Sequence, residues 1–369
     1  MICAEEELAI CALNLCLRYQ GGTARQLIDY YGNAGAVFEQ PASCLSGHRG
    51  ISSAMAEKLK SPGLMDEARS EYEWTRSKRI RLVTVFNEQY PQRLKECPDA
   101  PVVLYVVGDL DLNHSSVLSV VGTRSATPYG RSLCADLIAG LAQLGFNPLI
   151  VSGLAYGIDA TAHKSALDNE LPTVAVLPTG VDEIYPAAHR NLAKEITARG
   201  AVLSEFPSKT VSNKHNFLQR NRIIAGLSDA TLVVESKENG GALITAHFAA
   251  GYSRDVLAVP GRPSDACSKG CNRLISTNKA ALVTSARDIA DALGWEIPGS
   301  GGIQQRSLFD SLSEMEKNLL ADIKENGGSI DEIFRRLEIQ LPLLSSLLTQ
   351  LEVRGLIRCL PNKEYILPI

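Results

Sequence analysis

The sequence has few aromatic side chains and no long apolar segment. Aromatic residues make up 6% of its 369 positions, and no uninterrupted apolar run approaches the ~20 residues that span a bilayer. The N-terminal segment carries Glu5, Glu6 and Glu7 where a secretory signal peptide carries positive charge. We therefore expect a cytoplasmic protein that does not associate with membranes.

The cysteines show neither a disulfide framework nor a metal-binding pattern. There are nine of them, spread along the chain, and an odd number at scattered positions is typical of reduced cytoplasmic thiols. The closest pair, Cys267 and Cys271, lacks the second cysteine pair or histidine cluster that would complete a zinc site. The sequence therefore predicts no bound metal and no other cofactor.

The motifs of common enzyme classes are also missing. There is no G-x-S-x-G or H-E-x-x-H sequence, and the glycine-containing turn at 152–159 has neither the G-x-G-x-x-G spacing nor the lysine of a P-loop. The sequence therefore lacks the signatures of several common enzyme classes. Four carboxylates nevertheless follow predicted strands, so a carboxylate-assisted hydrolase is an open alternative at this stage: Asp159, Asp182, Glu205 and Glu235.

The first part of the chain has the pattern of short helices. Hydrophobic residues make up 45% of the chain, enough for one large core and one or two small ones. Over residues 1–75 they recur at helical spacing, as at Leu8, Cys11, Ala12 and Leu15, with glycines between the periodic stretches. This segment is predicted to be a helical domain.

Residues 76–295 have the pattern of a parallel sheet. They contain nine short apolar or β-branched runs, for example 102–107, 117–121, 173–178 and 231–235. Helical patterns separate most of the later runs. Strands that are apolar throughout and alternate with helices are typical of a parallel sheet covered on both faces. We therefore predict an α/β, doubly wound, mostly parallel domain of the Rossmann-like type.

The C-terminal part predicts a linker and a small domain. Residues 296–306 include the sequence PGSGGIQQR, which is typical of a linker. Residues 307–369 show three helical stretches and then two short strands across a Pro-Asn turn, the pattern of a winged helix. The third helical stretch, LPLLSSLLTQLEVR, has one cation at its end. Reading duplex DNA needs more donors than this, so we expect a protein-binding or regulatory role.

Only the middle of the chain has an excess of positive charge. Residues 115–290 carry 17 basic and 14 acidic side chains, although the whole chain has a formal net charge of −4. Residues 206–228 contain Phe217 and no acidic residue. Cations bind phosphates and an aromatic ring stacks on a base, so this run predicts binding of single-stranded nucleic acid. Its basic residues are Lys209, Lys214, Arg220 and Arg222.

Two turns that follow predicted strands offer further anion-binding groups. In the first, Gly122 permits close approach of a ligand and Arg124 supplies a planar fork of donors. In the second, Gly240 and Gly241 precede a helix that contains Thr245, so that backbone amides and a hydroxyl form an anion cradle. Beyond this turn the chain carries Arg254, Arg262, Lys269, Arg273 and Lys279.

Several motifs, in order across residues 80–290, resemble those of the DNA-processing protein A family, also called Smf. The helical N-terminus is similar to that family's sterile-alpha-motif-like or helix-hairpin-helix-like domain, and the tail is similar to its winged-helix domain. The motifs are VVGTRSATPYG, VSGLAYGIDATAHKSAL, TVAVLPTGVDEIYPAAHRNL, LSEFP, FLQRNRIIAGLSDATLVVES, GGALITAHFAAGYSRDVLAVPG and NRLIS.

The resemblance implies a protein that binds single-stranded DNA without catalysis. It also implies a homodimer formed through the Rossmann-like domain, and delivery of the RecA recombinase onto incoming DNA during natural transformation. The motifs place DNA-binding residues at positions that the charge pattern also selects. Carried over by motif, these residues are Arg124 of G-T-R, Lys214, Phe217, and Arg220, Asn221 and Arg222 of R-N-R.

Two alternatives belong to different functional classes. A Rossmann-like hydrolase of nucleotide phosphates would use the cradle at Gly240 and Gly241, with Asp182 or Glu205 as its acid or base. Such an enzyme would turn over nucleoside monophosphates. A scaffold for RecA with incidental DNA contact would instead bind RecA after loss of the basic residues.

Overall fold

The computed structural model describes residues 3–18, 20–296, 313–337, 339–353, 356–359 and 364–366. They form two compact units, one that ends at residue 296 and one that begins at residue 313. Most of the predicted linker, residues 297–306, and the predicted turn at residues 361 and 362 lie outside the described residues. Within the described part of the chain, no helix is long and apolar enough to cross a membrane.

The N-terminal segment folds into short helices, as its periodicity predicts. Asn33 and Ser52 cap two of them, because their side-chain oxygens accept hydrogen bonds from the backbone N–H of Ala36 and Met55. The first helix is buried on all sides from residue 9 to residue 17 and is therefore the centre of the group. The helices are α1 (Ala4–Leu17), α2 (Gly21–Tyr31), α3 (Ala34–Glu39), α4 (Ala42–Leu45), α5 (Ser53–Leu59) and α6 (Pro62–Ser77).

All nine predicted strands are present and form one sheet. Their order is β1-β2-β6-β5-β4-β3-β7-β8-β9. The seven strands from β6 to β9 in this order are parallel, whereas β2 is antiparallel to both of its neighbours. The strands are β1 (Arg81–Thr84), β2 (Val103–Val107), β3 (Val117–Val121), β4 (Leu149–Ser152), β5 (Thr173–Val176), β6 (Ala201–Ser204), β7 (Ala230–Val233), β8 (Asp255–Ala258) and β9 (Ala281–Leu282).

Helices cover both faces of this sheet, which confirms the predicted doubly wound class. Leu137 of α8, Ala162 of α9 and Ile289 of α14 share a core on one face, and Ile223 of α11 and Ala246 of α12 belong to the core of the other. The helices are α7 (Gln92–Lys95), α8 (Pro128–Gln143), α9 (Ile158–Asp168), α10 (Arg190–Arg199), α11 (Lys214–Gly226), α12 (Ala242–Gly251), α13 (Lys269–Ser276) and α14 (Ala286–Ala292), with a 3-10 turn at Ala187–His189.

The N-terminal helices share their core with the sheet. Leu13 of α1 lies in the same cluster of buried side chains as Val103 of β2 and Ile223 of α11. The start of α2 approaches a loop of the sheet domain so closely that a Cβ on Gly21 would lie 2.3 Å from the carbonyl oxygen of Ala100. Glycine is needed here for contact between the two parts. The predicted domain boundary at residue 75 stays a prediction.

The C-terminal unit has the predicted winged-helix elements. Ser313 and Glu316 form a capping box that begins its first helix. Leu319, Ile333 and Leu348, one from each helix, pack in a common core. The elements are α15 (Glu314–Asn326), β10 (Gly328–Ser329), α16 (Ile330–Leu337), α17 (Leu341–Val353), β11 (Arg358–Cys359) and β12 (Glu364–Ile366), and the three strands pair in the order β10-β12-β11.

A substitution in α1 tests whether the shared core makes the first unit cooperative. Leu13 is fully buried, so Leu13→Ala is expected to lower the free energy of unfolding by about 2–5 kcal/mol through lost contacts and a residual cavity. The two tryptophans report on different parts of the unit, because Trp74 lies in α6 and Trp295 follows α14. Replacing one of them by Phe leaves the other as the only fluorescent probe of a urea titration. Leu13→Ala should lower the unfolding midpoint equally for both probes. A shift confined to Trp74 would mean that the helices unfold on their own.

Candidate nucleic-acid interface

A cavity of about 610 Å³ lies beside the end of β3, where the chain stops adding strands on one side of the sheet and starts adding them on the other. From β3 the chain continues to β4 on one side, whereas β7 pairs with β3 on the other side, and crevices of this kind are the usual ligand sites of open parallel sheets. We call it the switch-point cavity. It brings together nine of the eleven predicted site residues: Gly122, Arg124, Lys214, Phe217, Arg220, Asn221, Gly240, Gly241 and Thr245.

Arg124 and Phe217 stack against each other in this cavity. The Arg124 Cζ lies 4.7 Å from the centre of the Phe217 ring, a cation–π contact, and Arg124 is exposed. The edge of Tyr185 packs on the same ring with 5.3 Å between centroids. Within the described residues Arg124 makes no salt bridge, so its donors face solvent. The ring therefore orients the guanidinium.

Lys214 is exposed at the first residue of α11. Asn213 begins this helix, because its side chain accepts a hydrogen bond of 2.9 Å from the backbone N–H of Asn216. The buried side chain of Asn216 in turn donates to the carbonyl oxygen of Pro178 after β5, over 3.0 Å. This bond attaches the start of α11 to the carboxyl end of the sheet. Lys214 therefore has a backbone held at the start of α11 and an exposed side chain.

Arg220 forms the floor of the cavity and is 3% exposed. Its Nη1 donates to the carbonyl oxygens of Gly153 and Val176, over 2.5 and 2.6 Å, at the ends of β4 and β5. Burial lowers the pKa of Arg220 to about 10, so it is still a cation at neutral pH. Burial also raises the pKa of Asp159, and the charges of Arg220 and Arg124 oppose that shift.

The glycine turns of the cavity allow close backbone approach. A Cβ on Gly122 would lie 2.5 Å from Ile158, and one on Gly240 would lie 2.2 Å from the Ser236 hydroxyl oxygen. A Cβ on Gly241 would have no neighbour within 4 Å, so this residue borders open space. The start of α12 is next to it and lacks a side-chain cap. The Gly240 N–H donates to the carbonyl oxygen of Lys237 over 3.0 Å, so the amides placed to bind an anion are those of Gly241 and Ala242.

Family models match most of the chain. Residues 81–294 match DNA recombination-mediator protein A, and residues 307–363 match the DprA winged helix domain. The chain belongs to the DNA recombination-mediator protein A family. This confirms the resemblance found in its motifs. Protein Smf of Synechocystis is 35% identical over 322 residues, which cover 78% of this chain and 80% of the relative.

Two solved structures of the DprA family are similar to this one. The X-ray structure of DNA processing protein A from Streptococcus pneumoniae has a TM-score of 0.60 and 32% identity, and the match covers 75% of this chain and 95% of that one. DNA processing protein A from Helicobacter pylori, whose structure concerns its single-stranded DNA binding mode, has a TM-score of 0.52 and 30% identity, with coverage of 58% and 95%.

Two predicted site residues of this DprA family member lie outside the cavity. Arg222 is 2% exposed, bonded to Glu205 and to the carbonyl oxygen of Asp99. Arg254 donates to Glu96 over 2.6 Å. In this structure Arg222 is therefore too buried to hold a phosphate, whereas the DNA contact of Arg254 stays a prediction. Side chains at positions i and i+2 of a helix point in nearly opposite directions, so Arg220 and Arg222 cannot face the same cavity.

The two carboxylates predicted as acid or base of the hydrolase alternative are not at the glycine cradle, although Asp159 lines the same cavity. Asp182 accepts a hydrogen bond from the backbone N–H of Lys209, and Glu205 pairs with Arg222. Neither lines the switch-point cavity. Glu235 lies beneath the turn after β3, where it accepts from the backbone N–H and hydroxyl of Thr127. The predicted acid and base are therefore held elsewhere in the DprA fold.

The other residues that line the cavity were not predicted as binding residues, and they include Asp159, Tyr185, Lys237 and Asn239. Lys237 and Asn239 lie in the loop between β7 and Gly240. The rule that ligands bind after parallel strands would have predicted them as binding residues. Tyr185 reaches the cavity from a loop after β5, and its contact with Phe217 has no signature in sequence. Asp159 is named from the sequence only as a carboxylate of the hydrolase alternative, and it accepts a bond of 3.4 Å from the backbone N–H of Ala155.

Arg222 should contribute to stability through its buried pair with Glu205 and should not itself contact DNA. Arg222→Met leaves Glu205 as an unpaired buried charge, which is expected to cost about 3–5 kcal/mol of unfolding free energy in urea titrations. The double variant Arg222→Met, Glu205→Leu removes both charges and should recover part of this loss. Weaker oligonucleotide binding by folded Arg222→Met would contradict this assignment.

His163 should make the protein sensitive to acid. It is fully buried, its Nδ1 lies 2.7 Å from the Thr173 hydroxyl oxygen, and burial lowers its pKa from 6.5 to about 3. Between these pH values the unfolded chain binds a proton that the folded chain does not, so stability falls as pH falls, by up to about 1.4 kcal/mol per unit. His163→Gln should flatten unfolding free energy against pH in this window. Parallel curves for the two proteins would contradict the assignment.

Proposed function

We propose that this protein binds single-stranded DNA in the switch-point cavity and catalyses no reaction on it. The observation that carries the proposal is the placement of two exposed cations, Arg124 and Lys214, beside the Phe217 ring at one opening. The structure of the Helicobacter pylori relative concerns the single-stranded DNA binding mode of that protein. Its similarity to this chain supports the same ligand here.

Each group has a distinct chemical task in the proposed complex. The Arg124 guanidinium binds a phosphate through two parallel hydrogen bonds, and the Lys214 ammonium group binds the next phosphate. The plane formed by Arg124 on Phe217 offers a surface on which a base stacks, with a value of about 1–3 kcal/mol per base. The backbone amides of Gly241 and Ala242, at the start of α12, receive a third phosphate. None of these contacts reads base identity, so we expect little sequence preference.

We further propose that the protein acts in the cytoplasm as a homodimer that loads RecA onto incoming DNA during natural transformation. The description of its family as a recombination mediator supports this role. The winged-helix domain is proposed to bind a protein partner. Its helix α17 has no basic residue, whereas helices that enter the major groove carry donors for bases and phosphates.

A RecA scaffold with incidental DNA contact makes a different prediction from DNA capture. Under the scaffold hypothesis, RecA binding survives loss of Arg124 and Lys214, and loading activity survives with it. Under the proposed function, RecA binding survives but loading is lost, because the DNA strand is no longer held. Measuring both properties on one Arg124→Ala protein separates the two hypotheses.

Removing either exposed cation should weaken DNA binding at every sequence. Arg124→Ala and Lys214→Ala are each expected to lower the affinity for single-stranded oligonucleotides by about tenfold. Each should also reduce the slope of log affinity against log salt by about 0.7, the share of one phosphate contact. Fluorescence anisotropy with single- and double-stranded oligonucleotides over a salt series measures both quantities.

Lys164 provides the matched control, because it is an exposed cation on α9 that does not line the cavity. Lys164→Ala removes the same charge and should leave both affinity and salt slope nearly unchanged. Equal losses in Lys164→Ala and Lys214→Ala would mean that net charge, and not the cavity, determines binding. Unchanged binding by Arg124→Ala would refute the proposed site.

A further inference from the structure

A second cavity, of about 310 Å³, lies on the other side of the loop that leads into α11. We call it the loop cavity. Asn213 lines both cavities, so the two are adjacent. The loop cavity is bounded by the N-terminal helices on one side and by residues 205–211 on the other. Its helical residues are Asn14, Leu15, Arg18 and Glu67.

The loop cavity is lined by two cations. Arg18 and Lys209 are both exposed, as is Glu67 beside them, and five residues after Lys209 the chain reaches Lys214 of the switch-point cavity. Within the described residues, neither Arg18 nor Lys209 makes a salt bridge. Arg18 ends α1, and its backbone N–H donates to the carbonyl oxygen of Asn14 over 2.8 Å. The N-terminal helices thus present a cation to the same cavity as the sheet domain.

The loop that carries Lys209 is held in place on both sides. The carboxylate of Glu71, on α6, accepts hydrogen bonds from the backbone N–H and the hydroxyl of Ser208, over 2.7 and 2.5 Å. Asp182 accepts from the backbone N–H of Lys209 over 2.9 Å. These bonds hold the backbone of the loop at Ser208 and Lys209, and the Lys209 side chain is exposed.

A buried acceptor without a partner lines the same cavity. Glu205 is 4% exposed, and one of its carboxylate oxygens pairs with Arg222. Its other oxygen, Oε1, has no hydrogen-bond partner among the described residues. A buried carboxylate oxygen in this condition is costly, and an N–H donor in the cavity would satisfy it. Each of the four bases carries such a donor.

We propose that the loop cavity is a second nucleotide-binding subsite on the same DNA strand. Arg18 and Lys209 bind phosphates there, and Glu205 Oε1 accepts a hydrogen bond from a base N–H. The strand leaves the switch-point cavity past Lys214 and Asn213 and contacts the end of α1. The N-terminal helices are then part of the DNA-binding surface. This inference rests on the proposed function and extends its site.

Oligonucleotide length separates the two subsites. We would compare the protein with the double variant Arg18→Gln, Lys209→Gln by anisotropy, using oligothymidylates of about 4, 8, 12 and 16 nucleotides, the range of site sizes of single-stranded DNA-binding modules. The double variant should bind the shortest oligonucleotide normally. It should bind the longer ones about tenfold more weakly or worse, with a salt slope reduced by about 1.4, because two phosphate contacts are lost.

The matched control is the double variant Arg49→Gln, Lys164→Gln, which removes one exposed arginine and one exposed lysine outside both cavities. It should bind all lengths normally. If Arg124→Ala weakens binding and the Arg18, Lys209 variant matches the control, the second subsite is refuted and the proposed function stands. If Arg124→Ala has no effect on any length, the proposed function itself fails.

Photocrosslinking provides a readout that does not depend on net charge. A longer oligonucleotide with 4-thiothymidine at successive positions is irradiated in complex with the full chain, and the modified peptides are identified by mass spectrometry. Crosslinks at one end of the strand to the Phe217 region and at the other end to peptides containing residues 18 or 209–211 are expected. Crosslinks confined to the switch-point cavity would overturn the proposal.

Discussion

The position of α11 is the constraint on which the site depends. Two buried arginines hold this helix from opposite sides. Arg220 bonds to carbonyl oxygens at the ends of β4 and β5, and Arg222 pairs with Glu205 beneath the N-terminal helices. Because both guanidiniums have partners, the helix is fixed between the sheet and the helical segment. Lys214 and Phe217, one turn or more earlier on the same helix, are thereby placed at the cavity opening.

Positive charge in this protein therefore has two separate uses. The buried arginines donate hydrogen bonds to backbone carbonyls and a carboxylate. Removing either arginine would leave these acceptors without a partner. The exposed cations, Arg124 and Lys214, keep their donors for a ligand. Arg124 is oriented by stacking on Phe217, which costs it no hydrogen bond. This division lets a chain with a net negative charge present a local cationic surface.

The helical N-terminus contributes to the same arrangement. Its first helix packs into the core shared with the sheet, and Glu71 of α6 holds the loop before α11 through Ser208. The close approach at Gly21 and the buried pair at Arg222 lie along this contact. The helical segment thus supports the loop between the two cavities, a role that periodicity alone does not reveal.

The local sequence determined the elements and the family. Apolar runs and helical spacing predict all nine strands, because a strand buried on both faces has to be apolar throughout. The rule that ligands bind after parallel strands located Gly122, Arg124 and Gly240, since strand direction alone decides which edge they share. Only the tertiary structure decided which cations are exposed to a ligand and which are buried with protein partners. Arg220 and Arg222 look equivalent in a run without acidic residues, but the partners that bury them, Gly153, Val176 and Glu205, are distant in sequence, and their positions are set by packing.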